Sequence, residues 1–381
     1  MVFKRKMDVI SLLIKPTSSL CNLRCTYCFY HDVSNRRLSK SFGIMNEETM
    51  MNLIEKAFLE AKKAVIFAFQ GGEPTLAGLA YFEKFVELVS IYNQHHIQVN
   101  YAIQTNGTLL DDEFVMFFKK HNFLVGISID GYETLHDIHR FDHQHKGTYQ
   151  KVIEGVQLLK KYDVEFNVLT VVNKETVKYG TEIYEHYKKF DFKYIQFIPA
   201  IAPFGEDQNN HFLAVDSKSY GVFLDEVYKK WQDDVLHGEK ISIRFFDNLV
   251  MMAMGFKAQA CEQQGKCALN LVIESNGNVY PCDFYVLDQW LIGNINEHSF
   301  KDIINHEKTQ LFIESSMKKT EQCLSCKYYP LCLGGCKRHR QKDIHTPIGM
   351  DQFCDAYTYF FDRNYENVFN LAQRFFIKNK I

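Results

Sequence analysis

The sequence predicts an α/β protein in which six strand–helix units form an open partial barrel or a doubly wound parallel sheet, followed by a cysteine-rich region. Three observations carry this reading. Four lysine pairs each close an amphipathic helical pattern and precede a β-branched, aromatic run; glycines and polar residues gather just after those runs; and eight of the eleven cysteines lie at or beyond Cys261.

The first run is Val9–Ile14, with Ile97–Ile103 added between the first and second lysine-marked units. The lysine pairs are Lys62-Lys63 before Ala64–Phe69, Lys119-Lys120 before Phe123–Ile129, Lys160-Lys161 before Val164–Val172, and Lys188-Lys189 before Phe192–Ile198. Cations in a last helical turn complement the macrodipole, so each pair reads as a helix stop. The runs carry few interior charges, as expected of strands covered on both faces, and the spacing implies parallel pairing through right-handed crossovers.

Six units are too few for an eight-fold barrel, but either alternative places its site at the C-terminal ends of the strands. Gln70-Gly71-Gly72-Glu73, Gln104-Thr105-Asn106-Gly107, Ser128, Asp130-Gly131 and Pro199–Pro203 sit there. A long helix over Ser217–Leu236 ends this region. Short strands and turn signals such as Ser275-Asn276-Gly277-Asn278 follow with no intervening linker, giving domains over 1–236 and 237–381 that pack together.

Composition excludes several classes. With 46% hydrophobic and 24% charged residues, 20 Gly and 7 Pro, the chain is neither disordered nor collagen-like. A net charge of −2 gives no global pull toward nucleic acid or an anionic membrane. The basic start Lys4-Arg5-Lys6 is followed by an apolar run too short for a signal peptide, ending at Lys15-Pro16, and no stretch approaches the about 18 apolar residues of a membrane span. A cytoplasmic location is expected, where closely spaced cysteines serve metal or redox chemistry rather than a disulfide framework.

The cysteines sort by spacing. Cys21-x3-Cys25-x2-Cys28 follows the first strand, and three thiolates can hold three irons of a [4Fe–4S] cube, leaving one iron open for a small molecule. A zinc site completed by His31, or unrelated buried thiols, are the alternatives. Cys261, Cys267, Cys282, Cys323, Cys326, Cys332, Cys336 and Cys354 fill two four-cysteine sites, for iron–sulfur clusters or for zinc. A chain that already holds one low-potential cluster has a use for further clusters as electron conduits, which zinc could not provide. The 15 histidines, His95-His96 and the His136–His145 group included, read as solvated loop residues and are assigned no site.

With Tyr27 before its last cysteine, the first motif resembles the radical S-adenosylmethionine (SAM) signature, and the later cysteines resemble the SPASM extension. Cys28-Phe29-Tyr30, Phe69-Gln70-Gly71-Gly72-Glu73-Pro74-Thr75-Leu76, Gln104-Thr105-Asn106-Gly107 and Pro281-Cys282-Asp283 are similar to the anaerobic sulfatase-maturating enzymes. The resemblance implies a partial (β/α)6 barrel of the radical SAM type, then a SPASM domain with two auxiliary clusters. It implies three [4Fe–4S] clusters and SAM as cofactors, a sulfatase precursor with a Cys/Ser-x-Pro/Ala-x-Arg motif as partner, and a low-potential donor of flavodoxin or ferredoxin type. A monomer is expected.

The implied chemistry is oxidation of a cysteine or serine to formylglycine, with a 5′-deoxyadenosyl radical removing the Cβ hydrogen and Asp283 accepting the thiol or hydroxyl proton. Gly71 and Gly72 would let backbone approach the SAM amino group, with Glu73 as an acceptor. Tyr27, Ser128 and Arg140 match SAM-contacting positions, Ile201 stands where leucine is expected, and the Arg140 fork suits the carboxylate. The plain alternatives are a strand-to-helix turn for Gly-Gly, a solvated loop for His136–Arg140, a barrel-layer serine, and a turn carboxylate for Asp283. Cys261, Cys267, Cys282 and Cys336 are assigned by resemblance to the nearer auxiliary cluster, and Cys323, Cys326, Cys332 and Cys354 to the farther. Tyr30 and Gln70 are candidate peptide contacts. With 20 residues before Cys21, recognition of a short sulfatase motif is expected rather than of a leader peptide. A maturase forming thioether or carbon cross-links in a ribosomal peptide, and a non-catalytic cluster or zinc protein, are the competing readings.

Overall fold

A computed structural model describes residues 6–378; Lys4 and Arg5 of the basic start, and the last three residues of the expected second domain, lie outside the described residues. The chain forms two compact units. One takes in the chain up to Ser128 with Arg140–Phe166 and Leu269–Phe312; the other takes in Ile129–His139, Asn167–Ala268 and the chain from Ile313.

The first unit is built on β1 (Met7–Ile14), β2 (Ala61–Phe69), β3 (Gln98–Thr105) and β4 (Phe123–Ser128), paired in parallel and in sequence order. Sequential neighbours of this kind are what a barrel wall requires; a doubly wound sheet reverses direction at a switch point. Beyond β1 the sheet continues through Leu271–Ile273, parallel to β1, then antiparallel Asn278–Tyr280 and Gly293–Asn294. The strand set is therefore mixed and open. Its core is aromatic: Phe69 meets Phe85 edge-on at 4.9 Å, and Tyr101 stacks on Phe123 at 4.8 Å.

Register decides what happens at the strand ends. Ile14 pairs with both Phe69 and Ile273, so the next residues along, Lys15, Gln70 and Glu274, emerge at one level. Lys15 N–H donates to the Ile273 carbonyl and Gln70 N–H to that of Ile14, which extends the ladders by one step.

The second unit contains β5 (Phe166–Val172) and β6 (Tyr194–Pro199) in parallel, with a short parallel strand at Ser242–Ile243. The helix Ser217–Leu236 has the expected bounds, opened by the Asp216 side chain accepting from Ser219 N–H. Gly221 on it lets the helix Cys354–Lys378 approach closely: a Cβ there would stand 3.0 Å from Ala356 Cα. Asn364 donates to buried Asp225 at 2.7 Å across the same contact.

Three lysine pairs close helices as expected, at Lys119-Lys120, Lys160-Lys161 and Lys188-Lys189. Lys62-Lys63 does not. The preceding helix ends at Glu60, and both lysines are exposed members of β2, where Lys63 pairs with Asp8 at 2.6 Å. Cross-strand pairing with β1 outweighs the helix-stop signal there. The His136–Arg140 run is also no solvated loop: Glu133–His139 is helical, and His136, His139 and Arg140 are buried.

Candidate active site

The three-cysteine loop runs from Cys21 to Cys28 in the first unit and leads straight into the helix Phe29–Asn35, with Cys28 at its N-cap. Protein donors already face the sulfurs. Leu23 N–H reaches Cys21 Sγ at 3.4 Å, and Arg140 Nη1 lies 3.9 Å from Cys25 Sγ. Burial pushes the Cys21 thiol up to about 12 and raises that of Cys28, against the pull of Arg140 and Lys15 on the latter. Bound iron removes that cost by taking the thiolate as ligand, so the donor set fits an iron–sulfur cluster. All eleven cysteines are outside disulfides.

Gly71 and Gly72, at φ +110° and +56°, fold the end of β2 against this loop. A Cβ on Gly72 would lie 2.1 Å from the Leu20 carbonyl oxygen, and one on Gly71 would lie 2.5 Å from Lys15 Cε. Gly72 is required for the two loops to pack, whatever binds beside them, and Gly71 for its positive φ. Glu73 is buried and its carboxylate is committed: Oε1 accepts from Thr75 N–H, Thr75 Oγ1 and Thr105 Oγ1, and Oε2 from Asn106 N–H. The side chain ties the second strand's loop to the third's, and its backbone is engaged as well: Glu73 N–H donates to the Leu20 carbonyl at 2.8 Å and its carbonyl accepts from Thr17 Oγ1 at 3.2 Å.

Asp283 lies in the same unit, at the start of a short 3-10 turn, Asp283–Tyr285. Tyr30 Oη donates to its Oδ2 at 2.5 Å, and Gln70 Nε2 reaches Tyr30 Oη at 2.9 Å and Asp283 Oδ2 at 3.3 Å. The Phe29 and Phe284 rings meet at 4.7 Å and hold helix against turn. Asp283 Oδ1 is shielded from solvent and has no hydrogen-bond partner. Burial raises the carboxyl's proton affinity, while the Lys15 charge and the Tyr30 hydroxyl lower it.

Lys15 is the residue that sequence reading passed over. Its ammonium lies 4.7 Å from the Tyr30 ring centroid and 3.1 Å from Glu274 Oε1, which Arg37 also contacts at 2.5 Å. Glu274 is fully buried and its carboxyl is held below its ordinary range by the two cations, against the cost of burial. Two cations and one carboxylate leave one positive charge facing Asp283. The available signal was a charge of opposite sign immediately after each of two apolar strands.

The expected SAM contacts fall in both units. Arg140 stands 5.4 Å from the Tyr27 ring, and Gln104 donates to Ser128 at 3.0 Å, all in the first unit. Ile201 belongs to the second unit, in a loop pinned by buried Gln208, which accepts from Ala202 N–H at 2.8 Å and donates to the Ala200 and Val215 carbonyls. Asp130 is structural: it is buried and accepts from Val171 N–H.

Seven cysteines lie in the second unit. Cys336 is raised by burial and by Cys261 and Cys267; Cys332 is raised to about 12 by burial, with Cys354 and Cys323 adding to it. Cys326 follows Cys323 in a single turn, its N–H donating to the Cys323 carbonyl. Cys282 is carried by the first unit.

Comparison with known proteins fits this geometry. The Radical SAM superfamily model matches residues 16–186, and the iron–sulfur cluster-binding SPASM domain matches 261–327. A cysteine-type anaerobic sulfatase-maturating enzyme of Clostridium novyi is 42% identical over 96% of this chain and 98% of its own length. The chain belongs to the anaerobic sulfatase-maturating enzymes. A serine-type sulfatase-maturating enzyme of Bacteroides thetaiotaomicron is 31% identical over 92% of this chain and 88% of its own. The solved structure of native anSMEcpe with bound AdoMet and Cp18Cys peptide, a sulfatase-maturating enzyme 40% identical to this one, superimposes with a TM-score of 0.93 over 96% of this chain and 99% of that one. The fold is thus the open radical SAM barrel followed by a SPASM domain. As a radical SAM sulfatase-maturating enzyme, the chain has no helix among its described residues that is long and apolar enough to cross a membrane.

Proposed function

We propose that this enzyme oxidises a cysteine in the Cys-x-Pro-x-Arg type motif of a sulfatase precursor to formylglycine. The observation that carries the reading is the Asp283 carboxylate, its Oδ1 shielded from solvent, held by Tyr30 and Gln70 in the same unit as the three-cysteine loop. Cysteine is preferred to serine because the cysteine-type relatives share more of the sequence, 42% against 31%.

Cys21, Cys25 and Cys28 would hold the first [4Fe–4S] cluster, with SAM bound through Tyr27, the Gly71–Glu73 backbone, Ser128, Arg140 and Ile201. Cleavage of SAM by one electron supplies the oxidant that takes the Cβ hydrogen. The protein's own part is placement and proton transfer. Asp283 takes the thiol proton on its unpartnered Oδ1, while Tyr30 and Gln70 keep the other oxygen fixed. Lys15 supplies a counter-charge that opposes the rise burial gives this carboxyl, which acts as the base. Tyr30 and Gln70 thereby act on substrate through Asp283 as well as beside it.

Eight further thiolates, from Cys261, Cys267, Cys282 and Cys336 and from Cys323, Cys326, Cys332 and Cys354, supply ligands for two auxiliary clusters, three in all, as acceptors for the second electron. Full thiolate ligation leaves those clusters no free iron, which favours electron transfer over substrate binding. The proposed division is a SAM domain over 1–236 and an auxiliary-cluster domain over 237–381. A monomer in the cytosol, served by a ferredoxin or flavodoxin, fits a chain whose eleven cysteines require reducing surroundings.

Anaerobic incubation of reconstituted enzyme with SAM, reductant and a Cys-x-Pro-x-Arg peptide tests the reading by mass spectrometry. An aldehyde product is expected. Unchanged peptide beside abundant deoxyadenosine would refute it.

A further inference from the structure

Beyond the cysteines themselves, the second unit holds an unusual cation. Lys319 reaches inward, and its ammonium donates to the Gly265 carbonyl at 2.8 Å and the Ser316 carbonyl at 3.0 Å. Gly265 lies between Cys261 and Cys267, in the ligand loop of the first auxiliary set. The lysine stem crosses Gly334, between Cys332 and Cys336, so tightly that a Cβ there would stand 2.7 Å from Lys319 Cδ. One side chain therefore touches the backbone of both cysteine loops.

A plain role as a helix cap does not account for this position. The carbonyls ending the helix Glu307–Met317 already have a buried cation: Arg340 donates to those of both Ser316 and Lys318. Lys319 is added beside Arg340, and burial together with the arginine's charge lowers its ammonium to about 8, with only Cys323, Cys267 and Cys332 pulling the other way. Two cations so close are costly unless anions face them. Thiolate-ligated clusters are those anions. The Ser316 hydroxyl links the same segment to the ligands by accepting from Cys267 N–H at 2.9 Å.

We propose that Lys319 is a redox-positioning residue whose charge, placed between the two auxiliary cysteine loops, holds the auxiliary cluster potentials up and so keeps them able to accept the substrate's second electron. Charge and hydrogen bonding around the sulfurs are the levers by which a protein sets such potentials. The inference rests on the proposal above that two four-cysteine sets hold clusters.

The test uses the full chain, anaerobically reconstituted, in wild-type form and as Lys319→Gln and Lys319→Arg, with iron analysis and potentiometric titration followed by electron paramagnetic resonance. About twelve irons per chain are expected in all three. At least one auxiliary midpoint should move to more negative potential in Lys319→Gln and stay near the wild-type value in Lys319→Arg. Full iron with unmoved midpoints in Lys319→Gln would overturn the inference, and so would iron loss confined to that variant, which would make the lysine a structural tie. A wild-type chain holding only about four irons would instead refute the two-cluster reading itself.

Discussion

Tyr30 donates its hydroxyl to Asp283 across 253 residues of sequence, at 2.5 Å. One residue sits on the helix that Cys28 caps; the other directly follows Cys282. In the proposed roles, proton acceptor and radical source are thereby linked by this hydrogen bond.

Removing the carboxylate charge separates the two half-reactions. Asp283→Asn should keep SAM cleavage, because its carboxylate contacts Tyr30 Oη and Gln70 Nε2 rather than a cysteine, while aldehyde formation falls by about a hundredfold or more. The ratio of deoxyadenosine to aldehyde is the measurement. A variant with full aldehyde yield would remove Asp283 from the mechanism.

Tyr30→Phe deletes the donated bond and leaves the ring against Lys15. A hydrogen bond to a charged group is worth about 1.5–3 kcal/mol, so kcat for aldehyde formation should fall by about ten- to a hundredfold. Peptide KM should move little, since the hydroxyl is already engaged by Asp283 and Gln70.

The ion cluster beneath the site should be sensitive to the loss of its single anion. Glu274→Gln leaves Lys15 and Arg37 facing each other without a counter-charge, a change costing about 3–5 kcal/mol in comparable buried pairs. Denaturant unfolding should show that loss, and Lys15→Met in the same background should recover part of it.

Gly72→Ala tests the loop contact. With φ at +56° and a Cβ 2.1 Å from the Leu20 carbonyl oxygen, the loop before Cys21 must shift. Loss of the SAM-cluster signal is expected with the auxiliary signals retained, read by electron paramagnetic resonance.

Asp247 gives the pH dependence. Burial raises its carboxyl from 3.8 to about 6, against a hydrogen bond from Ser242. The folded state holds this proton more tightly than the unfolded chain, so the contribution is fully present below pH about 3.8 and is lost as pH rises through about 6. Asp247→Asn should therefore be more stable than wild type at pH 8, by up to about 3 kcal/mol, with the two converging near pH 4. Melting curves across that range measure it.

Much of the fold was legible because strand and helix periodicities are local. The six strand positions, the helix Ser217–Leu236 and three of four lysine-marked helix ends followed from residues within one turn or one strand of each other. Lys62-Lys63 misled because its conformation is set by pairing with β1, more than fifty positions earlier in the chain. His136 and His139 misled because polarity in sequence does not report burial: His136 accepts from Asp130 N–H inside the second unit.

By itself, the sequence determined the chemistry available to this protein: three closely spaced thiols in one loop, eight more from Cys261 onward, and a carboxylate beside one of them. Those are matters of residue type and spacing, which covalent order preserves. Tertiary structure decided how the groups are used. Register at Ile14, Phe69 and Ile273 brings Lys15, Gln70 and Glu274 to one level, folding places Tyr30 on Asp283, and Glu73 turns inward to four protein donors. No local pattern encodes these, because charge pairing and hydrogen bonding act between atoms that only the assembled sheet and loops make neighbours.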